Sequence, residues 1–116
     1  MTSLIKARIP YASQAMMSGV TDSRQAHAAT VARRAVPYGI YTEIAPEKTG
    51  KKYLARMPDG RHAFFGQRGA EDYISHGNEA RRARYRARAA GVIRKDGRRA
   101  IDVFGSPAWL SYWLLW

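Results

Sequence analysis

Lys51-Lys52-Tyr53-Leu54-Ala55-Arg56-Met57-Pro58-Asp59-Gly60-Arg61-His62-Ala63-Phe64-Phe65 is the stretch whose reading decides the fold. Residues 51–57 and 61–65 read as two strands, with Tyr53, Ala55 and Met57 on one face of the first. Pro58-Asp59-Gly60 between them suits a type I turn, with Gly60 in the left-handed region. A connection this short makes the pair antiparallel.

Working outward, residues 36–44 read as a further strand, with Tyr38, Ile40 and Thr42 on one face. Together the three segments predict a three-stranded antiparallel sheet. Ala45-Pro46-Glu47-Lys48-Thr49-Gly50 is a loop. Upstream, Asp22 or Ser23 caps a helix that runs to about Ala35, with a small-residue face of Ala26, Ala29 and Ala32, and Pro37 stops it. Residues 1–22 read as an extended arm, because Pro10 and Gly19 break any helix and no period persists.

Downstream, Gly66 and Gly69 free the backbone for a sharp exit from the hairpin. Residues 78–90 are a helix by propensity and period. At about 100° per residue, Ala80, Ala83, Ala87 and Ala90 line one face, expected to pack inward. Arg81, Arg84 and Arg88 line the other, with Tyr85 beside them and Arg82 and Arg86 on the flank. Gly91 ends this helix, and Lys95-Asp96-Gly97 marks a turn in a basic loop. Ser106-Pro107 reads as the cap and first residue of a short final helix, apolar nearly all round. The expected fold is α+β. A small three-stranded antiparallel sheet is covered by an arginine-rich helix and a short C-terminal Trp-rich helix, with an extended N-terminal arm. Residues 23–116 form a single small domain.

The 20 lysines and arginines outnumber the 9 acids, giving a net charge of +11, which favours an anionic partner. The other reading of that charge is a solvated surface built from arginine. The absence of cysteine rules out a disulfide scaffold and thiolate metal sites. The longest apolar run, near the C-terminus, is about ten residues, where a membrane span needs roughly 20. Residues 1–8 lack the apolar run of a signal peptide.

Nine basic residues fall within positions 81–99: Arg81, Arg82, Arg84, Arg86, Arg88, Arg94, Lys95, Arg98 and Arg99. Arginine forks match phosphate and carboxylate geometry. The segment reads either as a polyanion or partner surface, or as a shell of arginines snorkelling over a thin core and pairing with Glu71, Asp72 and Glu79. Asp72 and His76 sit four apart, within reach of one another on a helix. With no nucleophile or third metal ligand nearby, they read as structural, together with Gly66, Gly69, Tyr73 and Tyr85. Gly39-Ile40-Tyr41 matches the first half of the GIY-YIG nuclease signature, but Tyr53 is followed by Leu54 and Ala55, so the second half is missing. No residue set calls for a catalytic role, a cofactor or a metal.

Trp109, Trp113 and Trp116 recur at i, i+4 and i+7, on one stripe of the final helix. Most of that stripe should cover the sheet. The remainder is expected to dock into a neighbouring protein through Trp113, Leu115 and Trp116, joined by Met16 and Met17 of the arm.

In order, Phe65-Gly66, Gly69, Asp72-Tyr73, His76, Arg81, Arg84-Tyr85, Arg88 and Trp113-Leu114-Leu115-Trp116 resemble the pattern of a family of short, basic, uncharacterised proteins from nucleocytoplasmic large DNA viruses. The resemblance covers about half the chain. It departs at Ala89, where the family usually has His, and at residues 92–102, which replace a longer acidic and aromatic linker. The resemblance implies a viral source and a non-enzymatic, virion-associated role. On that basis the expected function is a minor capsid or cementing protein that binds neighbouring capsid proteins. It would be made in the host cytoplasm and located in the virion. The alternative is a basic nucleic-acid-binding protein that packages or tethers the viral genome.

Overall fold

The structure is a computed structural model and describes residues 23–116. The arm over residues 1–22, with Asp22, Met16 and Met17, lies outside the described residues. Helix α1 spans Ser23–Ala35, β1 Tyr41–Ile44, β2 Lys51–Arg56, β3 His62–Gln67, α2 Tyr73–His76, α3 Glu79–Ala90 and α4 Pro107–Leu110. A π turn over Ser111–Leu115 continues α4. The fold is α+β, and the sheet is antiparallel in the order β1-β2-β3.

The hairpin forms where the turn chemistry places it. Tyr53 faces Phe65 and Ala55 faces Ala63 across the β2–β3 pair. Asp59 Oδ1 accepts from the Arg61 amide at 2.9 Å, and Gly60 sits at φ 91°. Such an Asp-Gly turn closes the hairpin by satisfying backbone donors locally. β3 runs two residues beyond the expected Phe65, to Gln67.

The strand expected over residues 36–44 is half turn. Val36–Tyr38 is a 3₁₀ turn closed by Gly39 at φ 71°, and only Tyr41–Ile44 pairs with β2. Pro37 fixes its φ at a value that a 3₁₀ turn accepts, and its missing N–H removes a ladder donor. Tyr38 thereby leaves the sheet and meets Trp109 edge to face, with centroids 4.9 Å apart.

One core joins α1 to the sheet and to the C-terminal segment. Val31 and Ala35 come from α1, Tyr53, Ala55 and Phe65 from the hairpin, and Leu110, Leu114, Leu115 and Trp116 from the final segment. Phe65, Leu110 and Leu114 are fully enclosed. Each large apolar side chain so enclosed contributes about 1.5–3 kcal/mol. Cover on the sheet comes from α1 and the C-terminal segment. The arginine-rich α3 meets the core through that segment, instead of lying directly on the strands as expected.

Gly66 matters to this closure. It adopts φ 78°, and a Cβ there would stand 3.1 Å from Leu115 Cδ1 and 3.2 Å from Lys52 Cβ. The absent side chain lets the C-terminal segment come down onto β3.

Candidate interaction surface

Asp72 is the N-cap of α2. Its Oδ1 accepts from the Ser75 amide at 3.0 Å, and the Ser75 hydroxyl is within 3.0 Å of the Asp72 amide, a reciprocal capping box. Its Oδ2 meets Lys52 Nζ at 2.7 Å, in a pair whose side chains are 6% and 18% exposed. Both carboxylate oxygens are thus engaged, and neither turns to His76. The His76 Nδ1 instead accepts from the Asn78 amide at 2.9 Å, and its ring lies 5.1 Å from Trp116. Asp72 and His76, within reach of one another by their spacing, therefore hold two separate structural roles.

Asn78 caps α3 through the Arg81 amide at 3.0 Å. The helix is turned otherwise than its alanine stripe implied. Ala80, Ala83 and Ala87 are exposed together with Arg84 and Arg88, while Arg82, Tyr85, Arg86 and Ala89 face inward. An alanine stripe buries little area, whereas the Tyr85 ring buries far more. Tyr85 stacks flat on Trp116, with centroids 4.2 Å apart and planes 7° from parallel. That one contact sets the rotation of the helix.

Arg82 and Arg86 follow Tyr85 inward and act on backbone. Arg82 Nε donates to the Trp116 carbonyl at 2.7 Å, and Arg86 Nη1 to the Tyr112 carbonyl at 3.4 Å. Arg34, from α1, donates to the Leu114 carbonyl at 3.1 Å. Carbonyls in the last turns of a helix lack intrahelical donors and carry partial negative charge. Three arginines from two helices supply the donors. The crowding has a cost: burial, then the nearby Arg82 and Arg86, hold the Arg34 guanidinium below its ordinary pKa. Arg86 also lies 4.0 Å over the Tyr112 ring and Arg82 4.8 Å over the Tyr73 ring. Sequence periodicity carries no signal for these roles, because a guanidinium spent on a distant carbonyl looks like any other surface arginine.

Four more of the nine basic residues are paired with acids. Arg81 meets Glu71 at 2.7 Å, Arg94 and Arg98 share Asp96 at 3.6 and 2.9 Å, and Arg99 meets Asp102 at 2.8 Å. The Arg81 hydrogen bond holds the Glu71 carboxyl below its usual pKa, and the Arg98 amide and guanidinium do the same for Asp96. Arg84, Arg88 and Lys95 remain, exposed and without an acidic partner among the described residues. Of the nine, they are the cations available to an external anion.

The docking set is also redistributed. Leu115 is 2% and Trp116 9% exposed, so both belong to the domain's own core and not to a free surface. The π turn explains the change. Trp116 N–H bonds to Ser111 O at 3.1 Å, five residues back. The wider turn shifts Leu115 and Trp116 around the axis relative to an α-helix, and Trp113 is left at the surface. Trp113 is 39% exposed and donates from Nε1 to Ile101 O at 3.4 Å. Around the buried Trp109 stand Tyr38, Phe104 and Trp113, with ring centroids 4.9, 4.8 and 6.4 Å away. All three outer rings are more than one-third exposed. This aromatic ridge was legible only in its Trp113.

The described residues therefore define a small basic α+β domain with an aromatic ridge and a short unpaired cationic edge. None of their helices is long and apolar enough to cross a membrane. A family model described as "Family of unknown function (DUF5754)" matches residues 45–89, from the loop before β2 to the last turn of α3. An "Uncharacterized protein" of Acanthamoeba polyphaga mimivirus is 39% identical over 74 residues, spanning 60% of this chain and 74% of that protein. The chain belongs to the family of that mimivirus protein. No solved structure matches it.

Proposed function

We propose that the chain is a structural virion component, a minor capsid or cementing protein that binds neighbouring capsid proteins and performs no catalysis. The observation that carries this reading is the aromatic ridge. Tyr38, Phe104 and Trp113 are held rigidly against Trp109, so little side-chain freedom is lost when a partner covers them. Clustered rigid aromatics with arginine beside them are the composition of interface hot spots. The family relationship to a mimivirus protein supports a viral setting. On the non-catalytic side, the buried carboxylate Asp72 is spent on a helix cap and on Lys52.

The test is incorporation into particles. Trp113→Ala with Phe104→Ala is expected to leave the melting transition close to wild type, while each truncated anchor weakens capsid association by about 2 kcal/mol. Normal incorporation of the double variant would overturn the reading.

A second reading, binding to the genome, is favoured by the unpaired Arg84, Arg88 and Lys95. Three phosphate contacts imply a loss of duplex affinity of roughly fortyfold between about 50 and 200 mM salt. Arg84→Glu with Arg88→Glu should abolish such binding without unfolding the domain, and salt-insensitive or absent binding would remove this reading.

A further inference from the structure

β3 is an edge strand: among the described residues it is hydrogen-bonded to β2 alone. The bond from the Met57 amide to the Arg61 carbonyl at 2.8 Å fixes the phase of the ladder. Counting from it, Ala63 and Phe65 turn their backbone groups to β2, and His62 and Phe64 turn theirs outward. The outward amides and carbonyls make no hydrogen bond among the described residues. Edges of this kind are usually blunted by lysine, by proline or by a covering element. His62-Ala63-Phe64-Phe65-Gly66-Gln67 holds neither residue, and both of its ends are exposed.

A groove of about 380 Å³ opens beside the C-terminal half of this strand. Phe65 and Gln67 of β3 and Ala108 and Ser111 of the final segment line it, together with the buried Leu115 and Trp116. It includes none of the ridge residues Tyr38, Phe104 and Trp113. Most charges in its lining are paired, Lys52 with Asp72 and Glu71 with Arg81. Lys51, exposed, lines the same groove and has no acidic partner among the described residues.

These features specify a ligand. A row of outward amides and carbonyls is matched by another extended backbone, a pattern that neither a nucleic acid nor a small anion carries. Alternate residues of an added strand point to one face, so the groove beside the edge takes an apolar side chain. Lys51, in a chain of net charge +11, favours an acidic residue in the same segment. The same charge opposes edge-to-edge pairing of two copies.

We infer that β3 receives an extended, apolar and acidic segment of a partner protein as a fourth strand. Its backbone pairs with His62 and Phe64, and one of its apolar side chains fills the groove. This surface is separate from the aromatic ridge and does not depend on the capsid reading.

Selection of a displayed library of random octapeptides on the full chain tests the inference. The enriched peptides should alternate apolar and polar residues and carry an acid. A labelled synthetic copy of one is then titrated by fluorescence anisotropy. N-methylation at a residue whose amide faces β3 should weaken binding about tenfold, the effect of losing one hydrogen bond, and N-methylation one residue along should not. His62→Pro removes an outward amide that the ladder does not use, and should weaken binding with little change in melting. Lys51→Glu should shift the preference from acidic to basic peptides, and keeps the test open if the proline variant folds poorly. Phe104→Ala, in the ridge, should bind the peptide as wild type does. No enrichment, equal binding of every N-methylated peptide, or binding untouched by both His62→Pro and Lys51→Glu would overturn the inference. So would loss of binding in Phe104→Ala, which would place the peptide on the ridge. A dimer in sedimentation analysis that His62→Pro dissolves would also overturn it, by making a second copy the occupant.

Discussion

Gly66 and Gly69 look alike in the sequence and differ in what surrounds them. Both have positive φ, 78° and 91°, but only Gly66 has neighbours where a Cβ would stand. Gly66→Ala adds the left-handed strain of about 1–2 kcal/mol to an overpacking cost of about 1–3 kcal/mol against Leu115 and Lys52. Gly69→Ala carries the strain alone. Urea denaturation of the two variants should separate them, and equal midpoints would show that Leu115 yields freely. Tyr53 gives a pH dependence of known sign. Burial, then the charge of Asp72, pushes its phenol from 10.0 up to about 12. A group whose pKa rises on folding stabilises the fold fully below its unfolded value. That contribution is complete below pH 10.0 and disappears as pH climbs through about 12. Tyr53→Phe should therefore lose less stability than wild type across this alkaline window, measured by denaturant midpoints at each pH.

At the scale of elements, local chemistry was readable and tertiary bookkeeping was not. The Asp59-Gly60 turn and the Ser106-Pro107 start are set by a few adjacent residues, and both stand where the sequence puts them, while Asn78, read as the first helical residue of α3, is its cap. The rotation of α3 was hidden, because alternating alanine and arginine give little apolar contrast and one tyrosine decides it. The fate of Leu115 and Trp116 was hidden by the π turn, which breaks the 3.6-residue period that put Trp116 on one stripe with Trp109 and Trp113 and Leu115 off it. Among the nine candidate basic residues, the division into carbonyl donors, surface ion pairs and free cations depends on partners up to 34 residues away. This division is testable. Arg82→Ala removes the donor to the Trp116 carbonyl and the cation over Tyr73, for an expected loss of about 1.5–3 kcal/mol. Arg84→Ala, on the outer face, should change stability by less than about 0.5 kcal/mol. Similar melting shifts for the two would contradict the assigned rotation of α3.

For the whole molecule, the hydrogen bond from Arg34 to the Leu114 carbonyl spans 80 residues of chain. Between those two points lie all three strands and the arginine-rich helix. Contacts this distant in sequence form late, since ordering the intervening loop precedes any reward. A chain synthesised from its N-terminus completes the hairpin well before residues 109–116 exist to cover it. Tyr53 and Phe65 then wait in water, a state that favours aggregation. A fragment of residues 23–105 is expected to show no cooperative urea transition, and adding a peptide of residues 106–116 should restore one. Until residues 109–116 emerge, the open apolar face of the hairpin is therefore the place where a chaperone's shelter would count most.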